Sequence, residues 1–148
     1  MRQLVYFSTA AAHQCAEMIA NILEISRRRN IREGVTGLLV AGGNRFLQVI
    51  EGEPAAIGAT MRRIENDVRH SGVQILVDRI VQRRGFESWS MAYRDVPRLG
   101  AYATFRAVAE AMHDEVDDAL KDQVQCFTNT FATTPISPRP SPWPLAIR

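Results

Sequence analysis

An α+β sandwich is the fold class that this sequence predicts, a mixed sheet of five strands with two helices on one face and C-terminal helices on the other. Three observations carry that expectation. Short runs between Gln3 and Tyr93 place apolar residues on alternating positions, the period of a strand. Two longer stretches among them repeat apolar residues at the spacing of an amphipathic helix. Gly42-Gly43-Asn44 joins two of the runs with residues that accept positive φ, so those two strands form a hairpin.

In order, Gln3 to Ser8 is the first strand. Leu4, Tyr6 and Ser8 share one face and Val5 and Phe7 the other, and bulk on both faces predicts a central strand covered on both sides. Residues 12–29 read as a helix with Cys15, Met18, Ile19, Ile22, Leu23 and Ser26 on one face. Arg27-Arg28-Arg29 fall in its last turn, where cations favour the helix dipole, and Asn30 stands at its C-terminus. Gly34 opens the hairpin, whose strands run over 35–41 and 45–51. Pro54 suits the first turn of a second helix, in which Ile57, Met61, Ile64 and Val68 recur down to about His70, with Ser71-Gly72 ending it. A fourth strand is read over 73–83, with Ile75, Val77 and Val81 on one face and Leu76 and Ile80 on the other. Gly85 breaks it, and 89–93 is a short fifth strand with Trp89, Met91 and Tyr93 sharing a face.

The order βαββαββ is the ferredoxin-like arrangement with one added strand, and it sets the first and third strands side by side. Helical spacing of Phe105, Val108 and Met112, then Val116, Leu120, Val124 and Phe127, marks a helical extension over 98–131 that would cover Val5, Phe7, Leu47 and Val49. Pro135, Pro138, Pro140, Pro142 and Pro144 make 132–148 an extended, disordered tail.

Composition excludes several classes. The apolar share of 46% is ample for a core. No apolar run reaches the roughly 18–20 residues of a membrane helix. The N-terminus enters a strand without a signal-peptide pattern, so a cytoplasmic protein without a membrane partner is expected. A net charge of +2 does not by itself imply nucleic acid. His13, His70 and His113 are isolated, with no partner at metal-ligand spacing. Cys15, on the apolar side of its helix, reads as a buried free thiol rather than a disulfide partner of Cys126.

One residue does not belong in a bland strand. Gln48 shares a face with Phe46 and Ile50, and an unpaired buried amide costs about 1–3 kcal/mol. Tyr6, on the neighbouring strand, could lie across from it on the helix-covered face. A buried Tyr–Gln hydrogen bond would satisfy both and would be a purely structural answer. Asn30 could equally be a helix cap, Asp67, Arg69 and His70 a solvated helix end, and Trp89 and Met91 core.

Their joint order resembles the BLUF family, flavin-binding sensors of blue light. The resemblance rests on Leu4-Val5-Tyr6-Phe7-Ser8, on Ser26 and Asn30 in a Ser-x-x-x-Asn helix end, and on Gly34-Val35-Thr36-Gly37-Leu38-Leu39. It continues through Phe46-Leu47-Gln48-Val49-Ile50-Glu51-Gly52, Asp67-Val68-Arg69-His70 and Trp89-Ser90-Met91, and covers about 4–91. It implies a flavin-binding domain over 1–97 that holds FAD non-covalently between the two helices, with FMN or riboflavin as other flavins the site would take. Ile22, Ser26, Arg29, Asn30, Gln48, Asp67, Arg69 and His70 would bind it, and Arg29 stands where other members often carry Asn or His. Tyr6, Gln48, Trp89 and Met91 would form the photoactive switch. Light would draw an electron and a proton from Tyr6, and Gln48 would relay the proton and rearrange its hydrogen bonds, giving a red-shifted state.

The same resemblance implies a switch and not an enzyme, of a short class that signals to a separate downstream protein. The double-sided apolar strands suggest a homo-oligomer, a dimer or larger. Two other classes share the fold. An acylphosphatase-like hydrolase would use Arg69 and Asn30, but no Gly-rich loop precedes a helix to gather backbone N–H groups. A nucleic-acid-binding module would use Arg27, Arg28, Arg29, Arg32, Arg62 and Arg63, but these alternate with acids and lack stacking aromatics on the sheet. No nucleic-acid partner is therefore expected.

Overall fold

The computed structural model describes residues 1–10, 16–42, 45–67, 70–86 and 90–95, together with Arg106, Asp118 and Asp122, which are helical and exposed. The described elements are β1 (Arg2–Ala10), α1 (Ala16–Glu33), β2 (Thr36–Gly42), β3 (Arg45–Gly52), α2 (Pro54–Asn66), β4 (His70–Ile80) and β5 (Ala92–Asp95). The sheet order is β4-β1-β3-β2-β5, antiparallel except for the parallel β2–β5 pair. The βαββαββ mixed sheet with two helices is thus the observed fold. The helical extension over 98–131, the tail over 132–148, Cys15 and Cys126 lie outside the described residues, apart from the three helical positions above.

Alternation along the central strands sorts the side chains as the sequence requires. Leu4, Tyr6, Leu39, Phe46 and Ile50 meet Ile19, Ile22 and Leu23 of α1 and Ile57, Met61 and Ile64 of α2 in one core. Val5, Phe7, Leu38, Val40, Leu47 and Val49 point to the opposite face and are equally buried. Both faces of the central strands are covered, which is why the runs read as continuously apolar.

Several boundaries differ from the sequence reading, among them the end of β4, which lies at Ile80 rather than 83. Helix α1 continues to Glu33, so Asn30 lies inside it, and Arg32 takes the last turn in place of the 27–29 run. The left-handed position is Gly34, at φ 67°, and the Val35 N–H donates to the Asn30 carbonyl at 2.9 Å. That is a Schellman end, and Gly accepts its conformation at less cost than Asn. Helix α2 stops at Asn66, with Asp67 extended as its C-cap. His70 belongs to β4, because pairing with Ala10 of β1 extends that strand toward the helix. The fifth strand begins at Ala92, not at 89.

Strand β4 also breaks simple alternation. Its register against β1 slips between Val5 and Tyr6 and again between Phe7 and Thr9, where Gly72 has φ 68°. Each slip inserts an extra β4 residue, as in a β-bulge. Ile75 therefore pairs with Tyr6 and Val77 with Val5, on opposite faces rather than one. The edge position leaves Ile75 47% and Ile80 69% exposed.

Two glycines differ in what they permit. A Cβ on Gly37 would collide with the Val49 carbonyl oxygen across the β2–β3 pair. A Cβ on Gly58, inside α2, would meet only guanidinium nitrogens of Arg62 and Arg2 at 3.6 and 3.7 Å. Gly37→Ala is expected to destabilise the protein by about 1–3 kcal/mol or more. Gly58→Ala is expected to stabilise it by up to ~1 kcal/mol through helix propensity. Urea unfolding of the two variants checks this, and a Gly37→Ala midpoint at or above wild type contradicts the close approach.

Candidate functional site

The site begins with register. Tyr6 on β1 and Gln48 on β3 are direct cross-strand partners. Cross-strand partners share a face, and this one is covered by α1 and α2. The Tyr6 hydroxyl donates a hydrogen bond to Gln48 Oε1. Complete burial pushes the phenol pKa well above its ordinary range, so Tyr6 is neutral and carries its proton. The other end of the amide, Gln48 Nε2, lies 3.6 Å from Met91 Sδ. Thioether sulfur is a weak acceptor, so the amide is held firmly at its oxygen and loosely at its nitrogen.

Helix α1 fixes the segment that carries Met91. Asn30 Nδ2 donates to the Ser90 carbonyl at 2.6 Å, and Arg27 Nε donates to the Met91 carbonyl at 2.9 Å. Arg27 and Asn30 are one turn apart, so their side chains leave α1 toward the same strand entry. Ser26, almost wholly buried, and Ile22 sit one and two turns earlier on the sheet-facing side. Asn30 is therefore a positioning group in this structure as well as a candidate ligand.

The start of the same connection is held by a buried carboxylate. Glu51 is 0% exposed, yet each oxygen is bonded. Oε1 accepts from Gln3 Nε2 at 2.7 Å and from the Gly85 N–H at 3.0 Å, and Oε2 accepts from the Phe86 N–H at 3.1 Å. Arg79 Nε donates to Gln3 Oε1 at 2.8 Å, which brings a cation to the far end of the chain. Arg84 donates to Thr36 Oγ1, to the Glu51 carbonyl and to the Gly34 carbonyl at 2.8, 3.1 and 2.7 Å. The connection between β4 and β5 is thus held by polar bonds at Arg84, Gly85 and Phe86 and again at Ser90 and Met91, with Gln48 Nε2 against Met91 Sδ.

Some buried polar atoms have no partner among the described residues. Arg29 Nη1 and Arg63 Nε are buried and unbonded among the described residues, as is Ser8 Oγ, two positions along β1 from Tyr6. Burial, followed by repulsion from Arg63, holds the Arg29 pKa below its usual value. An open groove of about 410 Å³ lies instead at the C-terminal end of α1, between Asn30, Gly34, Arg84 and Ser90. No α2 residue lines it, so it is not the space between the helices.

The structure therefore brings Tyr6, Gln48 and Met91 together, with Asn30 behind Met91 and Ile22 and Ser26 along α1. Asp67 caps α2, and His70 opens β4. Arg69 and Trp89 lie outside the described residues. Sequence reasoning missed Arg27, Glu51 and Arg84 as anchors. Glu51 did carry a signal, an acid inside an apolar strand run. Arg84 carried none, because its acceptors are two backbone carbonyls and one hydroxyl distant in sequence. Among the described residues no group of His, Cys, Asp and Glu could hold a metal ion, and no helix is long and apolar enough to cross a membrane.

The chain is similar to known proteins in sequence and in fold. A family model described as "BLUF: Sensors of blue-light using FAD" matches residues 1–92. The blue light- and temperature-regulated antirepressor BluF of Escherichia coli K12 is 33% identical over 82 residues, which are 55% of this chain and 20% of BluF. Photoactivated adenylate cyclase subunit alpha of Euglena gracilis is 26% identical over 110 residues, 73% of this chain and 11% of that subunit. The chain thus spans a fifth or less of these relatives. The dark-state structure of BlrB, a BLUF protein, superposes with a TM-score of 0.65 at 28% identity, covering 85% of this chain and 96% of BlrB.

The Glu51 anchor makes a prediction of its own. Glu51→Ala removes the acceptor of two backbone N–H groups and of Gln3, at about 1–3 kcal/mol for each donor left buried and unpaired. Amide exchange at Gly85 and Phe86 is expected to accelerate and the melting temperature to fall. Unchanged protection at both amides would show that the carboxylate does not hold the connection.

Proposed function

The chain belongs to the BLUF family of sensors of blue light that use FAD, and we propose that Tyr6 and Gln48 are its photoactive switch, with the flavin held between α1 and α2. The family-matched segment is a sensor, not a catalytic domain. The observation that carries the reading is the buried Tyr6–Gln48–Met91 chain. The residues present fit a flavin. Ser8 Oγ and Arg29 Nη1 are buried polar atoms awaiting a partner, and a ring with alternating carbonyls and N–H groups supplies both kinds. Ile22, Ser26, Arg29, Asn30 and Gln48 would contact it from α1 and β3, and so would Asp67, Arg69 and His70, which follow α2 in the sequence.

When bound and excited by blue light, the flavin supplies an oxidant. The residues do the rest. Tyr6 gives up an electron, and the phenol, now strongly acidic, passes its proton to Gln48 Oε1. Electron and proton then return, so Tyr6 ends unchanged. Gln48 does not return to its starting bonds, since an amide with one acceptor and two donors can settle reversed or as its tautomer. A changed donor toward the flavin shifts its absorption to the red. The weak Nε2–Met91 Sδ contact is the one most easily exchanged, and Met91, with Trp89 two positions before it, carries the change toward β5.

The output reaches a separate downstream protein. The name of BluF as an antirepressor supports a protein partner, and the names of the Euglena cyclase subunits support a sensor coupled to other activities. Exposed Ile75 and Ile80 on the β4 edge favour self-association as a homo-oligomer.

Purified protein is expected to be yellow and to release free flavin on denaturation. Tyr6→Phe and Gln48→Leu are both expected to keep the flavin and to abolish the light-minus-dark red shift. Gln48→Leu also strips the Tyr6 hydroxyl of its acceptor and is expected to melt lower, by about 1–3 kcal/mol of stability. An undiminished red shift in Gln48→Leu refutes the switch.

A further inference from the structure

Met91 is held in two places. Its Sδ lies 3.6 Å from Gln48 Nε2, and its carbonyl accepts from Arg27 Nε at 2.9 Å. The two contacts differ in strength. A thioether is a weak acceptor, so the Sδ contact does not by itself decide where Met91 sits. A guanidinium N–H on a carbonyl is charge-assisted and stronger. That bond acts on the peptide joining Met91 to Ala92, the first residue of β5. Asn30 Nδ2 grips the Ser90 carbonyl one residue earlier, at 2.6 Å. Asn30 is buried and stands among the flavin contacts proposed above, whereas Arg27 is exposed on α1. Its neighbour Arg28 pairs with Glu24 one turn back on the same helix. Arg27 has no acid partner among the described residues and reaches across to the strand entry. Position 27 is also one of the three unspecified positions of the Ser-x-x-x-Asn helix end, so the family resemblance assigns it nothing.

We propose that Arg27 is a positioning residue of the photoactive switch. By fixing the Met91 carbonyl it keeps Met91 Sδ against Gln48 Nε2, and so favours the amide arrangement seen here over the rearranged one. The inference rests on the switch reading above and adds to it the group that restores the starting state. Return from the rearranged state has to bring the Met91 side chain back against the amide. With the carbonyl held, the thioether stays within reach of Gln48. With it released, Met91 has more positions to search, and the amide nitrogen waits longer for its acceptor. Arg27 bonds neither Tyr6 nor Gln48, so the size of the red shift is set without it.

The test is the dark decay of the red-shifted state after a blue pulse. It is read in FAD-loaded wild type, Arg27→Ala, Arg27→Lys, Met91→Ala and the double variant of Arg27→Ala with Met91→Ala, with Arg28→Ala beside them. Losing one partly exposed charged hydrogen bond is expected to slow the decay of Arg27→Ala roughly three- to tenfold, with the red shift unchanged in size. Arg27→Lys keeps a cationic donor on a stem long enough to reach the carbonyl and is expected to recover part of the rate. Arg28→Ala is expected to decay as wild type does. In the Met91→Ala background, Arg27→Ala is expected to change the rate no further, because the side chain it positions is gone. Decay in Arg27→Ala as fast as wild type or faster overturns the proposal. So does a slowing by the same factor with and without the Met91 side chain, or an equal slowing in Arg28→Ala. Each of these leaves the Tyr6–Gln48 switch standing. An FAD-loaded wild type that forms no red-shifted state overturns both.

Discussion

A single amide in the middle of a sheet sets the terms for the rest of this structure. Gln48 lies on β3, with β1 on one side and β2 on the other and helices over its face. It cannot reach bulk water, so its carbonyl and both N–H groups need partners from the fold. The β1–β3 register delivers Tyr6 to the carbonyl, and the entry to β5 delivers Met91 to the amide nitrogen. The two partners are unequal. A phenol O–H is a strong donor, and a thioether is a poor acceptor. The amide is thus secured firmly at one end only.

That imbalance is useful only if its surroundings hold still. Glu51 lies three residues beyond Gln48 on the same strand, its side chain on the opposite face. It bonds the Gly85 and Phe86 N–H groups, while Arg84 binds the ends of α1 and β3 and the start of β2. Asn30 and Arg27 hold the Ser90 and Met91 carbonyls. The connection from β4 to β5 is therefore fastened by polar bonds at either end. Gln48 Nε2 thus meets Met91 Sδ on a segment tethered to the rest of the fold. Packed, hydrogen-bonded elements of this kind have few intermediate positions.

The sheet was legible because its signal is local. Alternation in β1, β2 and β3, the glycine-rich turn, and the apolar stripes of α1 and α2 each need only a few neighbouring residues. The Tyr6–Gln48 juxtaposition followed from topology plus parity, since adjacent strands and matching faces leave few registers. What failed to read were features decided at a distance. Asn30 looked like a helix end because it tolerates that role, but Gly34 fills it at less strain. His70 looked helical because the stripe of α2 points that way, and pairing of β4 with β1 overrides it. The bulges of β4 are invisible to a pattern that assumes strict alternation. Arg84 and Arg27 bind backbone carbonyls, and a carbonyl has no signature in sequence.

Some buried polar atoms find no partner among the described residues. Ser8 Oγ, Arg29 Nη1 and Arg63 Nε each carry a desolvation cost in the protein alone. The apolar core around Tyr6 and Phe46 offsets that cost in the folded chain but does not remove it. A ligand that bonds these atoms meets them only in the fold, because unfolding separates β1, α1 and α2. Binding therefore stabilises the folded state in proportion to the logarithm of ligand concentration. The same atoms that cost stability in the protein alone are those that a ligand with complementary donors and acceptors would satisfy, so recognition and folding would share one set of interactions.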